Sequence, residues 1–389
     1  MEKQNKKLRI IPLGGLEQIG MNMTAFEYND SIVIVDCGLS FPDDDMYGID
    51  VVIPDIEYLI ENKERVKGIV LTHGHEDHIG AMPYVMRKLD CPVYATRLTA
   101  GLVRLKLEEH GLADKVKIHT HSAGDVFRVG LFQVEFIHVN HSIPDSVAVA
   151  LKTPIGTVIH TGDFKIDLTP IEGGVFDFAR FSQLGEEGVL ALLSDSTNVE
   201  RTGYTDSERH VGESMDALFR GCEKRIIVTT FASNVHRIQQ IIDCAARYGR
   251  KVGITGRSME NVIRMAVEEG YMLVPEGVLV DMNRINSLPA AKTVIITTGS
   301  QGESMSALYR MAFAEHRQVK IGAGDRVIMS ASAIPGNERQ VTKVIDELFY
   351  KGVEVIYDRS MDIHVSGHAC QQEQMIMMAL TKPRYFIPV

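Results

Sequence analysis

A short loop near residue 75 brings together side chains of the types that bind metal ions. It runs Thr72-His73-Gly74-His75-Glu76-Asp77-His78, so three histidines and one aspartate fall within six residues. Imidazole nitrogens mixed with carboxylate oxygens are donors that borderline ions such as Zn²⁺ favour. Four ligands in one tight loop cannot all bind one ion. The spacing therefore predicts two neighbouring metals, with His73 and His75 on one and Asp77 and His78 on the other. Solvated loop histidines are the alternative, which this spacing argues against.

Each of these metals needs ligands from elsewhere in the chain. His141 and Asp163 both follow predicted strands, and we assign His141 to the first metal and Asp163 to a bridging position. Neither would be selected alone, and they are chosen because a paired site requires them. Gly74 is expected to let the backbone turn tightly enough for its flanking histidines to face one point. Two adjacent metals suit phosphodiester hydrolysis, but they also serve β-lactam, thioester and other ester hydrolysis. The loop thus predicts a hydrolase without fixing its substrate.

Short apolar strands must position these residues. In the first half, strands are predicted at residues 31–36, 67–72, 132–137, 157–160 and 189–193, each followed by a side chain able to do chemistry. The segment at 132–137 alternates apolar and polar residues, as a half-buried strand does. A rigid sheet commonly presents its active-site residues at strand ends.

From about Asp206 the pattern changes to regular strand–helix alternation. Continuously apolar strands are predicted at residues 225–230, 251–254, 293–297, 326–329 and 353–356, with amphipathic helices at 235–248 and 338–350. This pattern is typical of a parallel sheet covered on both faces. It predicts an inserted α/β domain over residues 206–362.

Composition limits the classes of protein that the chain can form. Its 389 residues favour two domains, and 45% hydrophobic with 24% charged residues is a globular balance. The net charge of −10 argues against non-specific nucleic-acid binding, although a basic groove or a metal cluster can still hold phosphates. Five scattered cysteines favour reduced thiols in a cytoplasm. No apolar run has the length of a membrane span, and the polar start has no signal-peptide core.

The metal loop, with Asp36, His141 and Asp163, resembles the metallo-β-lactamase fold. The inserted domain and the segment His364-Val365-Ser366-Gly367-His368-Ala369 resemble the nucleic-acid-processing β-CASP branch of that fold. Within this branch the chain is similar to the bacterial ribonuclease J family, with matching segments at residues 12–23, 193–198 and 298–303.

The resemblance implies an α/β protein with a metallo-β-lactamase αββα sandwich and an inserted β-CASP domain of mostly parallel sheet. The sandwich would comprise residues 1–205 and 363–389, and the β-CASP domain residues 206–362. Family chains continue past residue 389 with a His-Gly-Glu segment whose histidine binds the second metal. The chain is accordingly expected to be truncated at its C-terminus, with weak occupancy of that metal site and impaired activity.

The resemblance also implies roles for residues beyond the metal ligands. Asp36 would orient a metal ligand, and a buried strand-end carboxylate bound by backbone amides is the alternative. Asp195 is the acidic residue expected close to the metals. His368 is the histidine expected to assist catalysis by protonating the leaving oxygen, a role suited to imidazolium near neutral pH.

Two loops are predicted to bind substrate. In His364-Val365-Ser366-Gly367-His368, a hydroxyl, imidazoles and backbone amides can donate to phosphate oxygens, and an ordinary polar turn is the alternative. In Ser233-Asn234-Val235, the first two residues could cap a helix or hold an RNA phosphate at its positive end. Arg237 and Arg257 are weaker candidates.

An acidic loop lies between the first strands of the chain. It contains Asp43-Asp44-Asp45 and Asp50. A solvated turn is the ordinary interpretation, and the resemblance offers a structural calcium near Gly48 and Asp50, because calcium prefers oxygen donors.

The metal loop predicts a hydrolase, and the resemblance implies a two-metal ribonuclease acting on single-stranded RNA, as an endonuclease and a 5′-to-3′ exonuclease, in cytoplasmic RNA maturation and mRNA decay. The resemblance implies two zinc ions per full-length chain, with manganese as an alternative, and a preference for 5′-monophosphorylated RNA. It implies a homo-oligomer or a hetero-oligomer with a paralogue for the full-length protein, and no membrane association. A small-molecule ester or lactone hydrolase of the same fold is one alternative function. A non-catalytic RNA-binding subunit paired with an active paralogue is another.

Overall fold

Strands and helices form where the sequence carries apolar segments, and a computed structural model describes them over residues 7–42, 46–303, 306–333, 337–357 and 362–389. In chain order the described strands are β1 Leu8–Gly14, β2 Met23–Tyr28, β3 Ser31–Val35, β4 Val66–Val70, β5 Val93–Ala95, β6 Ile118–Thr120, β7 Val126–Val129, β8 Phe132–His138, β9 Val147–Thr153, β10 Gly156–His160, β11 Val189–Ser194, β12 Arg225–Thr229, β13 Lys251–Thr255, β14 Thr293–Thr297, β15 Asp325–Met329, β16 Glu354–Ile356 and β17 Tyr385–Pro388. The described α-helices are α1 Glu57–Glu61, α2 Glu76–Ile79, α3 Met82–Val85, α4 Arg97–Glu109, α5 Phe178–Glu187, α6 Glu208–Phe219, α7 Val235–Arg247, α8 Arg257–Glu268, α9 Met282–Ile285, α10 Ala307–Ala312, α11 Glu338–Tyr350 and α12 Gln371–Thr381.

The chain folds into two units. The first contains Met1–Leu168, Gly173–Thr205 and Gly367–Val389, and the second contains Thr169–Glu172 and Asp206–Ser366. Residues 363–366 therefore belong to the second unit, whereas the sequence places them at the start of the return to the first domain.

Two six-stranded sheets form the first unit. One has the order β1-β2-β3-β4-β5-β6 and the other the order β17-β11-β10-β9-β8-β7. Apolar side chains of both sheets meet in one core, including Phe26 and Val70 from the first and Phe136 and Val149 from the second. Helices α5 and α12 pack on the outer face of the second sheet, and α4 packs against β5 and β6. The αββα sandwich is confirmed.

Strand β8 differs from its prediction as a half-buried strand. Its polar residue Glu135 is only 5% exposed. The cause is Arg180 of α5, whose guanidinium Nη2 donates to Glu135 Oε2 at 3.0 Å. The inward residues of this strand therefore face the other sheet while α5 covers its outward residues, which alternation alone does not reveal.

The second unit is built on a five-stranded sheet in the order β13-β14-β12-β15-β16. Every pairing in this sheet is parallel, as the continuous apolar strands predict. Its core includes Ile227, Ile295 and Val327 of the sheet and Val344 and Leu348 of α11. Within the described residues of the chain, no helix is both long and apolar enough to cross a bilayer.

Arg237 is fully buried in the second unit and is unavailable as a surface contact for RNA. It forms a two-point ion pair with Glu208, in which Arg237 Nη2 lies 2.8 Å from Glu208 Oε2. Its Nη1 donates to the carbonyls of Ser330 at 2.8 Å and Ile363 at 3.2 Å. The arginine thereby fixes the end of β15 and the segment that leads into residues 364–366.

Replacing Arg237 by methionine should lower the free energy of unfolding by about 3–5 kcal/mol, because Glu208 would remain buried without its partner. Urea denaturation measures this loss. The double variant with Glu208→Met should recover part of it, since both charges are then removed. Arg220→Met is a matched control whose exposed ion pair should leave the unfolding midpoint unchanged. Equal unfolding midpoints for Arg237→Met and Arg220→Met would contradict the prediction.

Candidate metal centre and active site

Strand ends of the first unit carry the predicted site residues. Asp36 directly follows β3, and His73 comes three residues after β4. His141 comes three residues after β8, and Asp163 comes three residues after β10. Asp195 directly follows β11. The sheets are rigid, so these loops are held at fixed positions relative to one another.

One group of donors consists of His73, His75, His141 and Asp163. His75 Nδ1 lies 3.2 Å from His73 Nε2 and 3.1 Å from His141 Nε2. Asp163 Oδ2 lies 3.6 Å from His73 Nε2 and 3.7 Å from His141 Nε2. Four donor atoms thus surround a single point, and three of them are imidazole nitrogens.

A second group consists of Asp77, His78 and Asp163. His78 Nε2 lies 3.6 Å from Asp77 Oδ2 and 3.3 Å from Asp163 Oδ1. Asp163 therefore directs Oδ2 to the first group and Oδ1 to the second. The structure brings together all six residues that the sequence nominates as metal ligands, and it divides them into the two sets expected from their spacing.

These distances fit a divalent metal ion. Donors bound about 2.0–2.1 Å from a tetrahedral ion stand roughly 3.3 Å from one another. The separations of 3.1–3.7 Å in the first group lie close to that value. This cluster supports a divalent metal centre in the first unit.

The protonation states of three histidines also suit metal binding, because an imidazole must be neutral to bind. Burial lowers the pKa of His73 and His75 well below their usual range. Burial likewise lowers the pKa of His141 to about 4. The nearby Asp163 opposes these shifts without reversing them, so the lowered pKa of all three rings favours the neutral form.

Asp36 orients His78. Its side chain is buried, and its Oδ2 accepts a hydrogen bond from His78 Nδ1 at 2.7 Å. Its other oxygen accepts from the Thr72 backbone N–H, and Thr72 Oγ1 donates to Oδ2, both at 2.8 Å. The ring of His78 is thereby turned so that Nε2 faces Asp77 and Asp163. Such a carboxylate–histidine contact fixes the tautomer of a metal ligand.

Replacing Asp36 by asparagine should weaken metal binding about 10- to 100-fold, because the amide holds His78 less firmly. Asparagine also tolerates the left-handed backbone of this position, where φ is 61°. Calorimetric titration with Zn²⁺ measures the change. Asp90→Asn, at an exposed aspartate of the same unit, is the control. Unchanged affinity in the Asp36 variant would leave this residue with a purely structural role.

Gly74 serves the site differently from the prediction. Its φ lies outside the left-handed region, so the turn does not require glycine for its backbone conformation. A Cβ at this position would lie 2.6 Å from Leu102 Cδ1 and 3.3 Å from Ile143 Cδ1. Glycine leaves room here for Leu102 of α4 and Ile143 of the loop after His141, which approach the metal loop closely.

Asp195 and His368 form a third group with Asp163. His368 Nδ1 donates to Asp195 Oδ2 at 2.9 Å and lies 3.9 Å from Asp163 Oδ2. Burial opposes protonation of this ring, but Asp195 and Asp163 outweigh it and raise the pKa of His368 to about 9. The arrangement places a cationic imidazole beside the metal ligands.

The backbone next to His368 also holds His141, a predicted metal ligand. His141 Nδ1 donates to the carbonyl of Gly367 at 2.8 Å, which leaves Nε2 to face the first donor group. A Cβ on Gly367 would lie 2.6 Å from His141 Cε1, so only glycine allows this approach.

Two protein-family models match parts of the chain. Residues 20–205 match the metallo-β-lactamase superfamily, and residues 223–348 match the β-CASP domain of ribonuclease J. Ribonuclease J 1 of Streptococcus pyogenes is 47% identical, with 98% of this chain covering 68% of that protein. The chain belongs to the ribonuclease J family.

Other ribonuclease J proteins are similar over nearly the whole chain. The protein of Synechocystis is 49% identical over 99% of this chain, and ribonuclease J2 of Bacillus subtilis is 44% identical over 100%. The chain spans 61% of the length of the Synechocystis protein and 70% of the Bacillus one. A crystal structure of a protein of unknown function from Enterococcus faecalis shares the fold, with a TM-score of 0.68 at 15% identity, over 98% of this chain and 94% of that one.

The predicted substrate loops of this ribonuclease J family member lie partly in the second unit. There Asn234 caps α7, since its side chain accepts from the Arg237 N–H at 3.1 Å. Ser233 precedes it, and the Val235 side chain is fully buried. His364 and Ser366 are partly exposed and Val365 is buried in the same unit, whereas Gly367 and His368 belong to the first.

Among the described residues, no group of potential ligands surrounds the predicted calcium site. Gly48 and Asp50 are exposed, and neither belongs to a group of three or more metal-capable side chains among the described residues. Asp43, Asp44 and Asp45 lie outside the described residues.

Several residues of the site were missed by sequence reasoning. Asn22 Nδ2 lies 3.0 Å from His78 Nε2, and Ser142 Oγ lies 3.3 Å from His75 Nε2. Thr72 contacts Asp36 and also lies 3.0 Å from His73 Nδ1. Thr72 and Ser142 each adjoin a nominated ligand in sequence, which is the signal that could have found them.

Proposed function

We propose that this protein is a metal-dependent ribonuclease that hydrolyses phosphodiester bonds of single-stranded RNA. The observation that carries the proposal is the pair of donor groups joined by Asp163, with His368 and Asp195 beside them. The names of the similar proteins support RNA as the substrate, since all three are ribonucleases.

Zinc is the proposed metal, with manganese as the alternative. Three imidazoles and one carboxylate oxygen form a donor set typical of zinc. His73, His75, His141 and Asp163 would hold one ion, and Asp77, His78 and Asp163 would contribute to holding a second. Divalent cations bound there would supply Lewis-acid activation of water and stabilise the charge that develops on the phosphate.

The chain's own residues would complete the reaction. The oxygen of a water molecule would bond to phosphorus as its proton passes to solvent, the bond between phosphorus and the 3′-oxygen would break, and His368 would donate a proton to that 3′-oxygen. Asp195 holds the His368 ring through a hydrogen bond from Nδ1 at 2.9 Å. Asp36 keeps His78 oriented toward the second donor group.

Two loops are proposed to bind the RNA backbone. Ser233, Asn234 and Val235 lie at the N-terminus of α7, where the helix dipole favours phosphate. The segment His364–His368 offers a hydroxyl, two imidazoles and the backbone of Gly367, which suit phosphate oxygens.

The remaining features of the proposal follow family membership. The enzyme would cut internally and also remove nucleotides from the 5′ end, with a preference for a 5′-monophosphate. It would act in RNA maturation and mRNA decay in the cytoplasm, as a homo-oligomer or together with a paralogue. A structural calcium ion bound near Gly48 and Asp50 would be separate from the catalytic metals.

The test is incubation of the purified protein with 5′-monophosphorylated single-stranded RNA and Zn²⁺ or Mn²⁺, with a chelator control. Metal-dependent cleavage, lost with the chelator, is the expected result. Binding of RNA without cleavage would instead favour the non-catalytic subunit. Hydrolysis of lactones or thioesters without RNA cleavage would favour the small-molecule hydrolase.

A further inference from the structure

The carbonyl of His368 is held as firmly as its ring. Thr205 Oγ1 donates to this carbonyl at 2.7 Å, and Asn198 Nδ2 donates to it at 3.1 Å. Ring and backbone of His368 are therefore fixed by three side chains, and Asp195, Asn198 and Thr205 all belong to the first unit. A proton donor gains from such anchoring, because small displacements at a reacting centre cost large factors in rate.

Thr205 is itself anchored by a buried carboxylate. Glu373 is 0% exposed, and its Oε2 accepts hydrogen bonds from the backbone N–H groups of Thr205 at 2.7 Å and Cys370 at 2.8 Å. Its other oxygen accepts from the N–H of Ile166 at 2.7 Å. One side chain thus ties together three segments that are far apart in the sequence.

Each of these segments matters to the site. Thr205 is the residue at which the chain leaves the first unit, and Cys370 comes shortly after the chain returns to it. Ile166 comes three residues after Asp163. The Glu373 carboxylate therefore sets the register between the outgoing segment, the returning segment and the loop of the shared metal ligand.

Helix capping alone does not account for this arrangement. Glu373 lies in the first turn of α12, where an acidic residue is favourable. An acidic side chain can cap a helix while it stays exposed at the surface. Burying a carboxylate is costly unless several hydrogen-bond donors satisfy it. Two of the three donors, Thr205 and Ile166, come from outside both α12 and its N-cap Cys370, which indicates a function in joining segments.

We infer that Thr205 and Glu373 are positioning residues that place His368 on Asp195 for proton transfer. This inference rests on the proposed function, in which His368 protonates the leaving oxygen. Thr205 acts directly on the His368 carbonyl, and Glu373 acts through Thr205 and Cys370.

Thr205→Val and Thr205→Ser are the matched test variants. Valine removes the hydroxyl at nearly constant volume, and serine keeps it. Thr205→Val should lower kcat for RNA about 10- to 100-fold with little change in KM, because the proton donor is displaced. Activity on bis(p-nitrophenyl) phosphate should be retained, since p-nitrophenolate leaves without a proton. Thr205→Ser should restore cleavage of RNA.

A control for hydroxyl removal is Thr342→Val in α11, whose Oγ1 donates to the Glu338 carbonyl at 2.8 Å. This variant should cleave both substrates at the normal rate. Equal losses by Thr205→Val on RNA and on the p-nitrophenyl ester would overturn the inference, as would no loss on either.

A second measurement does not depend on catalysis. In protein with ¹⁵N-labelled histidine rings, the signal of His368, assigned from its absence in His368→Gln, reports the hydrogen bond to Asp195. This signal should be preserved in Thr205→Ser and shifted or lost in Thr205→Val and Glu373→Gln. An unchanged signal in Thr205→Val would overturn the inference. If the wild-type protein cleaves neither substrate, the proposed function fails, and this signal still decides whether Thr205 positions His368.

Discussion

Replacing Asp163 by alanine should abolish metal binding at both donor groups and lower RNA cleavage by at least about 10³-fold, since the metals contribute several kcal/mol to transition-state stabilisation. The reason is geometric. Asp163 Oδ2 lies within 3.7 Å of His141 Nε2 in one group, and Oδ1 lies 3.3 Å from His78 Nε2 in the other. No other residue belongs to both metal-ligand groups among the described residues. Elemental analysis of the zinc-loaded protein measures the bound metal.

The His75→Ala variant distinguishes loss of one donor group from loss of both. His75 belongs to the first group alone, so its loss should spare ions held by the second. The Asp163 variant should bind fewer ions than the His75 variant, although both should lose cleavage. Asp114→Ala, at an exposed aspartate of the same unit, is the control for carboxylate removal and should retain both properties. Normal metal content in the Asp163 variant would exclude a bridging role.

The clustering of the predicted metal ligands could be anticipated from sequence because most of them share one loop. His73, His75, Asp77 and His78 lie within six residues, and short-range spacing limits the groupings that a tight loop can form. His141 and Asp163 were accessible by a second argument, since each follows a strand. The strands of a sandwich bring the loops that follow them to one edge of the sheets. The strands themselves are predicted from local sequence patterns.

The residues that hold the site in place could not be predicted in this way. Glu373 contacts Ile166 across 207 positions and Thr205 across 168. No periodicity links such segments, because the inserted domain separates them. Arg237 is a similar case, because a charged side chain is expected at the surface. Its burial is explained only by the ion pair with Glu208, which the sequence does not reveal. The strand β8 was misjudged because the helix that covers it comes much later in the chain.

His368→Ala should lower kcat for RNA cleavage by about 10²- to 10⁴-fold while leaving the bound metal unchanged, as expected for loss of a general acid. His368 Nδ1 is 2.9 Å from Asp195 Oδ2 and 3.9 Å from Asp163 Oδ2, so the ring is beside the ligands and outside both metal-ligand groups. Removing it should therefore affect proton transfer more than metal affinity. Steady-state kinetics and metal analysis of the same preparation measure the two effects separately.

The leaving group provides the decisive contrast for this variant. Bis(p-nitrophenyl) phosphate releases an anion that needs no proton, so His368→Ala should hydrolyse it at nearly the wild-type rate. His110→Ala removes a histidine of the same unit that contacts Arg87 and Tyr84, and it should retain activity on both substrates. A metal ligand behaves in the opposite way, because Asp163→Ala should lose both substrates together. Parallel losses on RNA and the ester in His368→Ala would therefore assign His368 to metal binding or folding and remove it from proton transfer.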